Sequence, residues 1–254
     1  MEKTVKVRNI VLGAGIPKIC VPVTGRSNVE IIGQMSKICR DCKDIVDIIE
    51  LRIDFYENVF DSEKLMGLLS EVRQTIGDMA LLLTFRSKNE GGEREIDLSS
   101  YESLLKNVIE SQMADAVDVE AFFDDSLLSS ICELAKEKNT VIIASNHDFD
   151  KTPKKADIVK RLKAMEDNGA DVAKIAVMPN SKADVLTLMS ALMEAEELLG
   201  IPVIAISMGR LGGISRVAGG VFGSCLTFGT VDKASAPGQM EAGRLKEALE
   251  LLSI

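Results

Sequence analysis

Hydrophobic positions along this chain follow two alternating rhythms. Short runs rich in β-branched and aliphatic residues recur at 18–23, 47–53, 80–86, 116–120, 140–147, 172–178, 202–208 and 221–228. Their length and composition predict strands. Between most of them lie longer segments whose apolar residues return every three to four positions. These predict helices over 29–42, 63–76, 101–113, 126–138, 153–168 and 182–199. Helix starts carry capping signals. Ser99 with Glu102 and Ser181 with Asp184 have capping-box spacing. Thr152 before Pro153 reads as an N-cap followed by a proline in the first turn. Gly200, Ile201 and Pro202 end one helix and open the next strand.

Eight β-then-α units in 254 residues match the size of a (β/α)8 TIM barrel, an α/β fold. The stretch TVKVRNIVLG ahead of the first unit reads as a β-hairpin. No linker or low-complexity stretch divides the chain, so one barrel domain is expected over 1–254. A doubly wound open sheet is the alternative, but its G-x-G-x-x-G fingerprint after the first strand is missing.

Side chains alternate faces along a strand, so each predicted strand can be sorted. One face carries Ile48, Glu50, Arg52 and Asp54, the other Ile49, Leu51 and Ile53. Leu82, Thr84 and Arg86 share a face, as do Asp118 and Glu120. Ile143, Ser145 and His147 form another such face, and Val172, Lys174 and Ala176 a further one. In each case one face is apolar and the other turns polar toward the strand's C-terminal end. In a barrel these polar ends meet at the mouth, where active sites of the fold sit. Glu50, Arg52, Arg86, Asp118, Glu120, His147 and Lys174 are therefore expected to converge. The bland reading, that charges at strand ends begin solvated loops, suits any single residue better than the agreement of five strands.

Composition narrows the chemistry. A net charge of −9 and the absence of tryptophan argue against a nucleic-acid surface. One histidine excludes zinc sites that need several. The five cysteines, at 20, 39, 42, 132 and 225, are too sparse for a disulfide scaffold and suit a reducing compartment. Neither a signal peptide nor an apolar run of membrane-spanning length is apparent. A cytoplasmic location without membrane or nucleic-acid partners is expected. Cys39 and Cys42 form a CxxC, but near the end of a predicted helix, where packing explains them better than redox chemistry.

Lys174 stands out because it sits inside the apolar run VAKIAVM. Burial and neighbouring cations favour a neutral amine, which attacks ketones and aldehydes to give an imine. His147 ends the neighbouring strand and is suited to moving protons. Glu90, in the glycine-rich turn after the third strand, is placed to orient it. Arg86 and Arg216 offer forks for a carboxylate or phosphate. The GRLGG stretch is a weak phosphate signal, lacking the P-loop Lys-Ser/Thr pair.

The chain resembles the type I 3-dehydroquinate dehydratases, the Schiff-base-forming dehydroquinases of the shikimate pathway. The motifs are ELRID at 50–54, TFRSKNEGGE at 84–93, SNHDF at 145–149, KIAVMP at 174–179, ISR at 214–216, FGS at 222–224 and ASAPGQ at 234–239. Their order and spacing cover nearly the whole chain. The resemblance implies Lys174 as the imine former, His147 as general acid/base and Glu90 as its carboxylate partner. It implies Arg216, Ser235 and Gln239 as substrate holders, with Arg216 on the carboxylate, and Glu50, Arg52 and Arg86 around the ring hydroxyls. It also implies 3-dehydroquinate as substrate, no cofactor or metal, a homodimer, and a lid in the loop carrying Ser235 and Gln239. Pro22 and Ile206 stand where some members carry serine and methionine. The competing readings are a class I Schiff-base aldolase and a silent barrel that only binds a ligand or partner.

Overall fold

In a computed structural model, residues 3–231 and 235–253 are described. The chain opens with an antiparallel hairpin, β1 (Val5–Val7) and β2 (Ile10–Leu12). The alternation that follows runs β3 (Lys18–Val23), α1 (Asn28–Asp41), β4 (Ile48–Arg52), α2 (Ser62–Ile76), β5 (Ala80–Thr84), α3 (Leu98–Ser111), β6 (Ala116–Glu120) and α4 (Leu127–Lys138). It continues with β7 (Val141–Asp148), α5 (Lys155–Asp167), β8 (Val172–Val177), α6 (Lys182–Leu198), β9 (Val203–Ser207), α7 (Gly213–Ala218) and β10 (Leu226–Thr230). A two-residue strand, β11 (Met240–Glu241), and α8 (Ala242–Leu252) complete it.

Strands β3 to β9 pair in parallel in chain order, and β10 lies beside β3. The ring closes between β9 and β10 through a bridge from Val203 to Ser224, where the Cys225 N–H donates to the Val203 carbonyl at 2.9 Å. This is the expected TIM-barrel-like fold with its N-terminal hairpin. β11 extends the sheet beside the C-terminal end of β10.

Two apolar layers hold the ring. Outside it, the outward face of each strand packs on the helices. In α2, Leu65, Leu68, Leu69, Val72 and Ile76 recur at helical spacing and are buried against that layer. Each such side chain contributes about 1.5–3 kcal/mol. Inside the ring, Cys20, Ile48, Leu82, Ile143, Val172 and Ile204 fill the lower barrel, and Val7 and Leu12 of the hairpin close it from below. Arg8 turns the hairpin at φ 54° and pins it by donating to Asp78, Asp115 and the Gly77 carbonyl. With its floor filled, the barrel is open to ligand only at the other end.

Local signals held in some places and failed in others. Ser181 and Asp184 form the reciprocal capping box at α6. Ser99 does not cap α3: Asp97 does, accepting from the Ser100 N–H and both neighbouring hydroxyls, which places Ser99 inside the first turn. Nor does Thr152 cap α5, which starts at Lys155; its hydroxyl donates to the Met178 carbonyl at 3.0 Å. The last barrel strand starts at 226 and not 221, because Gly219–Phe222 winds into a 3-10 turn that ends at Gly223 with φ 102°. Cys39 and Cys42 sit at the end of α1, partly buried against the helix-facing core. No helix among the described residues is long and apolar enough to cross a membrane.

Candidate active site

The inward faces turn polar one layer above the apolar floor. Glu50 and Arg52 rise from β4, Thr84 from β5, Asp118 and Glu120 from β6, Ser145 and His147 from β7, and Lys174 from β8. Register brings them side by side: Thr84 pairs with Asp118, Glu120 with Ser145, and Ser145 with Lys174.

Arg86, just past β5, is the hub. Its Nη2 donates to Asp118 Oδ1 at 2.6 Å. Its Nη1 donates to Glu120 Oε1 at 3.1 Å and Ser145 Oγ at 3.0 Å, and approaches Glu90 Oε2 at 3.4 Å. Burial works against this cation, but Asp118, Glu120 and Glu90 outweigh it and hold the guanidinium above the usual arginine range. Burial likewise opposes the Asp118 anion, yet Arg86 and Lys174 hold its carboxyl well below the usual range. Glu120 accepts from the Ser87 N–H and hydroxyl, which fixes the start of the loop that follows.

Lys174 lies within this network. Its Nζ donates to Asp118 Oδ2 at 2.9 Å and stands 4.7 Å from the centroid of the Phe228 ring. The side chain is 5% exposed, so the amine faces the cavity and not bulk solvent.

His147 and Glu90 form the second unit. The loop after β5 makes a 3-10 turn at Lys88–Glu90, and Gly91 leaves it at φ 81°. Gly91 lies against the Phe149 ring, with no room for a Cβ. This turn swings Glu90 over the end of β7. There Glu90 Oε2 meets His147 Nδ1 at 2.9 Å and accepts the His147 N–H at 3.0 Å. Burial, then the cations Arg86 and Lys174, hold the imidazole well below its ordinary pKa and so neutral. Burial also pushes Glu90 up to about 7, against the pull of Arg86. In the tautomer that donates Nδ1–H to Glu90, Nε2 carries a free lone pair.

Arg216 comes from α7 and is 2% exposed. Its Nη2 donates to the Pro237 carbonyl at 2.9 Å, while its Nε has no partner. None of the ion pairs among the described residues involves it. Burial pulls its pKa down to about 10. A buried guanidinium with an idle donor has the chemistry to receive an anion. The 235–239 loop lies over it, knit together by Gln239 Nε2 donating to Ser235 Oγ at 3.1 Å and Ser235 N–H donating to Gln239 Oε1 at 2.8 Å. Ala234, the first residue of the ASAPGQ motif, lies outside the described residues. Of the glycines after β9, Gly209 supports this loop: its N–H donates to the Pro237 carbonyl at 3.1 Å.

The nine residues to which the resemblance assigns roles, Glu50, Arg52, Arg86, Glu90, His147, Lys174, Arg216, Ser235 and Gln239, line one cavity of about 540 Å³, its open mouth included. Asp118 and Glu120 lie beneath it. Ile206 lines it beside Met208, while Pro22 stays within β3. Sequence reasoning gave no role to Asp54, which clamps Arg52 through two 2.8 Å bonds and receives the Glu93 N–H. Its place in ELRID was the available signal. It also passed over Asn146 and Phe149, whose signal was adjacency to His147.

These features define an α/β-barrel enzyme whose pocket holds an amine, an imidazole–carboxylate pair and an open anion site. The model of the type I 3-dehydroquinase family matches residues 19–254, and the chain belongs to that family. It is 48% identical to the 3-dehydroquinate dehydratase of Lactiplantibacillus plantarum over 254 residues, covering all of both chains. It is 45% identical to that of Clostridium botulinum, covering 99% of this chain and 98% of the other. The crystal structure of the type I 3-dehydroquinate dehydratase from Clostridium difficile, with covalently modified comenic acid, superposes with a TM-score of 0.95 at 43% identity, covering 100% and 99% of the two chains.

Proposed function

We propose that the chain carries out its family's reaction, the dehydration of 3-dehydroquinate to 3-dehydroshikimate in the shikimate pathway, through an imine on Lys174. Attack needs a neutral amine, so Nζ gives up a proton and adds to the C3 ketone, giving a carbinolamine. The carbinolamine hydroxyl then leaves as water with that proton, giving the protonated imine. The imine withdraws electrons and acidifies C2–H. His147 Nε2 takes that proton, with Glu90 holding Nδ1. The resulting enamine expels the C1 hydroxyl, which leaves as water with a proton from His147. Hydrolysis of the imine frees the product and the lysine. Arg216 holds the carboxylate with Ser235 and Gln239, and Glu50, Arg52 and Arg86 surround the ring hydroxyls. Holding the ring in this way aligns the leaving hydroxyl with the imidazole.

The observation that carries this reading is the joining of Lys174, the Glu90–His147 pair and the open Arg216 site in one cavity. Sodium borohydride with 3-dehydroquinate is expected to leave a reduced adduct on Lys174, detected by peptide mass spectrometry. Unmodified protein under turnover conditions overturns the imine. A cytoplasmic homodimer accompanies this reading, supported by family likeness, and light scattering tests the assembly.

A further inference from the structure

A chain of hydrogen bonds reaches the Glu90–His147 pair from outside the barrel. It starts at Arg161 on α5, half-buried in the helix layer. Arg161 Nη1 donates to Asn146 Oδ1 at 2.9 Å, and Asn146 Nδ2 donates to Glu90 Oε1 at 2.9 Å. Asn146 and His147 are consecutive on β7 and point to opposite faces. Glu90, seated above the strand's end, is what connects them.

The chemistry of the groups gives this chain a direction. A guanidinium only donates, so Arg161 selects one orientation of the Asn146 amide, carbonyl outward. The amide NH2 is then aimed at Glu90 Oε1, which offers it a lone pair and is disfavoured as a proton carrier. A proton shared by the pair is thereby drawn toward the line between Oε2 and His147 Nδ1. The His147 backbone N–H also donates to Oε2, which favours the proton on Nδ1. Nε2 is left as the acceptor. Without Arg161 the amide is free to turn over, and its carbonyl would then stabilise a proton on Oε1. Other charged groups face the pair: Arg52 from β4, Arg86 from the end of β5, Asp118 and Glu120 from β6, and Lys174 from β8. Arg86 approaches Oε2, so Oε1 is left to Asn146.

We propose that Asn146 and Arg161 are positioning residues that set the protonation and tautomer of the Glu90–His147 pair, keeping His147 Nε2 ready to accept the substrate proton. This rests on the reading of His147 as the general base. The test is the pH dependence of kcat and KM for wild type, Arg161→Gln, Arg161→Lys, Asn146→Leu and His147→Ala. Thermal melts identify folded variants, and Arg161→Gln, on the outer helix layer, provides a folded one if Asn146→Leu does not.

Losing a hydrogen bond to the carboxylate makes the pair easier to protonate. Arg161→Gln and Asn146→Leu should therefore move the acid limb of kcat upward by about one pH unit. kcat at pH 7 should fall roughly 10-fold, with KM changed by less than about two-fold. Arg161→Lys restores a donor-only partner and should return the limb toward wild type. An unmoved acid limb in a folded Arg161→Gln overturns the proposal, as does Arg161→Lys behaving like Arg161→Gln. If His147→Ala loses turnover while the other variants keep the wild-type limb, this inference alone falls. If His147→Ala turns over normally, the base assignment falls and takes this inference with it.

Discussion

Asp118 is the residue whose loss the fold should feel most. It is fully buried and accepts from Arg86 Nη2 at 2.6 Å, Ser145 Oγ at 2.6 Å and Lys174 Nζ at 2.9 Å. Asp118→Asn keeps the volume but replaces one acceptor oxygen with a donor. Whichever way the amide turns, its NH2 faces either Lys174 or the Arg86–Ser145 side. Removing one partner of a buried ion pair costs about 3–5 kcal/mol. Arg86 retains Glu120 at 3.1 Å, which favours the lower end. A loss of about 3 kcal/mol corresponds to a fall of roughly 6–12 °C in Tm for a chain of this size. The pH dependence has a definite sign. Asp118 has a depressed pKa in the fold, so its contribution is complete above the unfolded carboxylate value, about 3.9, and fades only as pH falls through the lower folded value. Urea unfolding at pH 8, 7, 6 and 5 should therefore show a constant gap between wild type and variant. A gap below about 1 kcal/mol, or one that closes steadily between pH 8 and 5, would refute the ion-pair account.

Other substitutions probe different parts of the mouth. Arg216→Met should raise stability by about 1–3 kcal/mol in urea unfolding, because it removes a buried cation without an anionic partner, while kcat/KM falls more than about 100-fold. Equal or lower stability would mean that Arg216 is already satisfied. Gly91→Ala should cost about 2–3 kcal/mol and most of the activity, since the new Cβ has a φ of 81° and would meet the Phe149 ring. Wild-type melting and turnover would count against it. Glu90 has a folded pKa near 7, above its unfolded value, so its favourable contribution is present at acid pH and lost as pH rises through about 7. Glu90→Gln should thus gain on wild type as pH rises from about 4.5 to about 7, while its kcat falls roughly 100-fold. A stability difference that is flat across that range would refute the raised pKa.

The alternation of faces was enough to find the barrel and the convergence of its polar ends, because period-two burial is a local property of each strand. Lys174 inside VAKIAVM and the pair Glu50 and Arg52 in ELRID could be read in this way. Glu90 could be placed in a glycine-rich turn, and it was paired with His147 through the family resemblance, since the distance between residues 90 and 147 is closed only by the ring of strands. Asn146 was sorted to the outward face and given no role, because its partners Arg161 and Glu90 come from a helix and a loop. The eighth strand was placed five residues early because Val221 and Phe222 are apolar, yet they lie exposed on a 3-10 turn at 65% and 38%. Hydrophobicity alone does not tell a strand from an uncovered turn. The caps at 99 and 152 failed for a related reason: a hydroxyl takes the partner that three-dimensional structure offers, and Asp97 and the Met178 carbonyl were not visible as competitors.

The charges at the mouth divide into two kinds, and the division follows their tasks. Asp118, Arg86 and Glu120 satisfy one another and the adjacent hydroxyls. Arg216 keeps a buried donor idle, and His147 keeps a lone pair that no side chain claims. In the proposed reaction these unclaimed atoms are offered to the substrate. Lys174 belongs to both kinds, since it is paired to Asp118 and, in the proposed reaction, leaves that pairing to form the imine. Its ion pair therefore has opposite effects on stability and on reactivity. Asp118 can be weakened only by giving up the element that holds Arg86 and Ser145 in place, which ties the readiness of the amine to the rigidity of three strands.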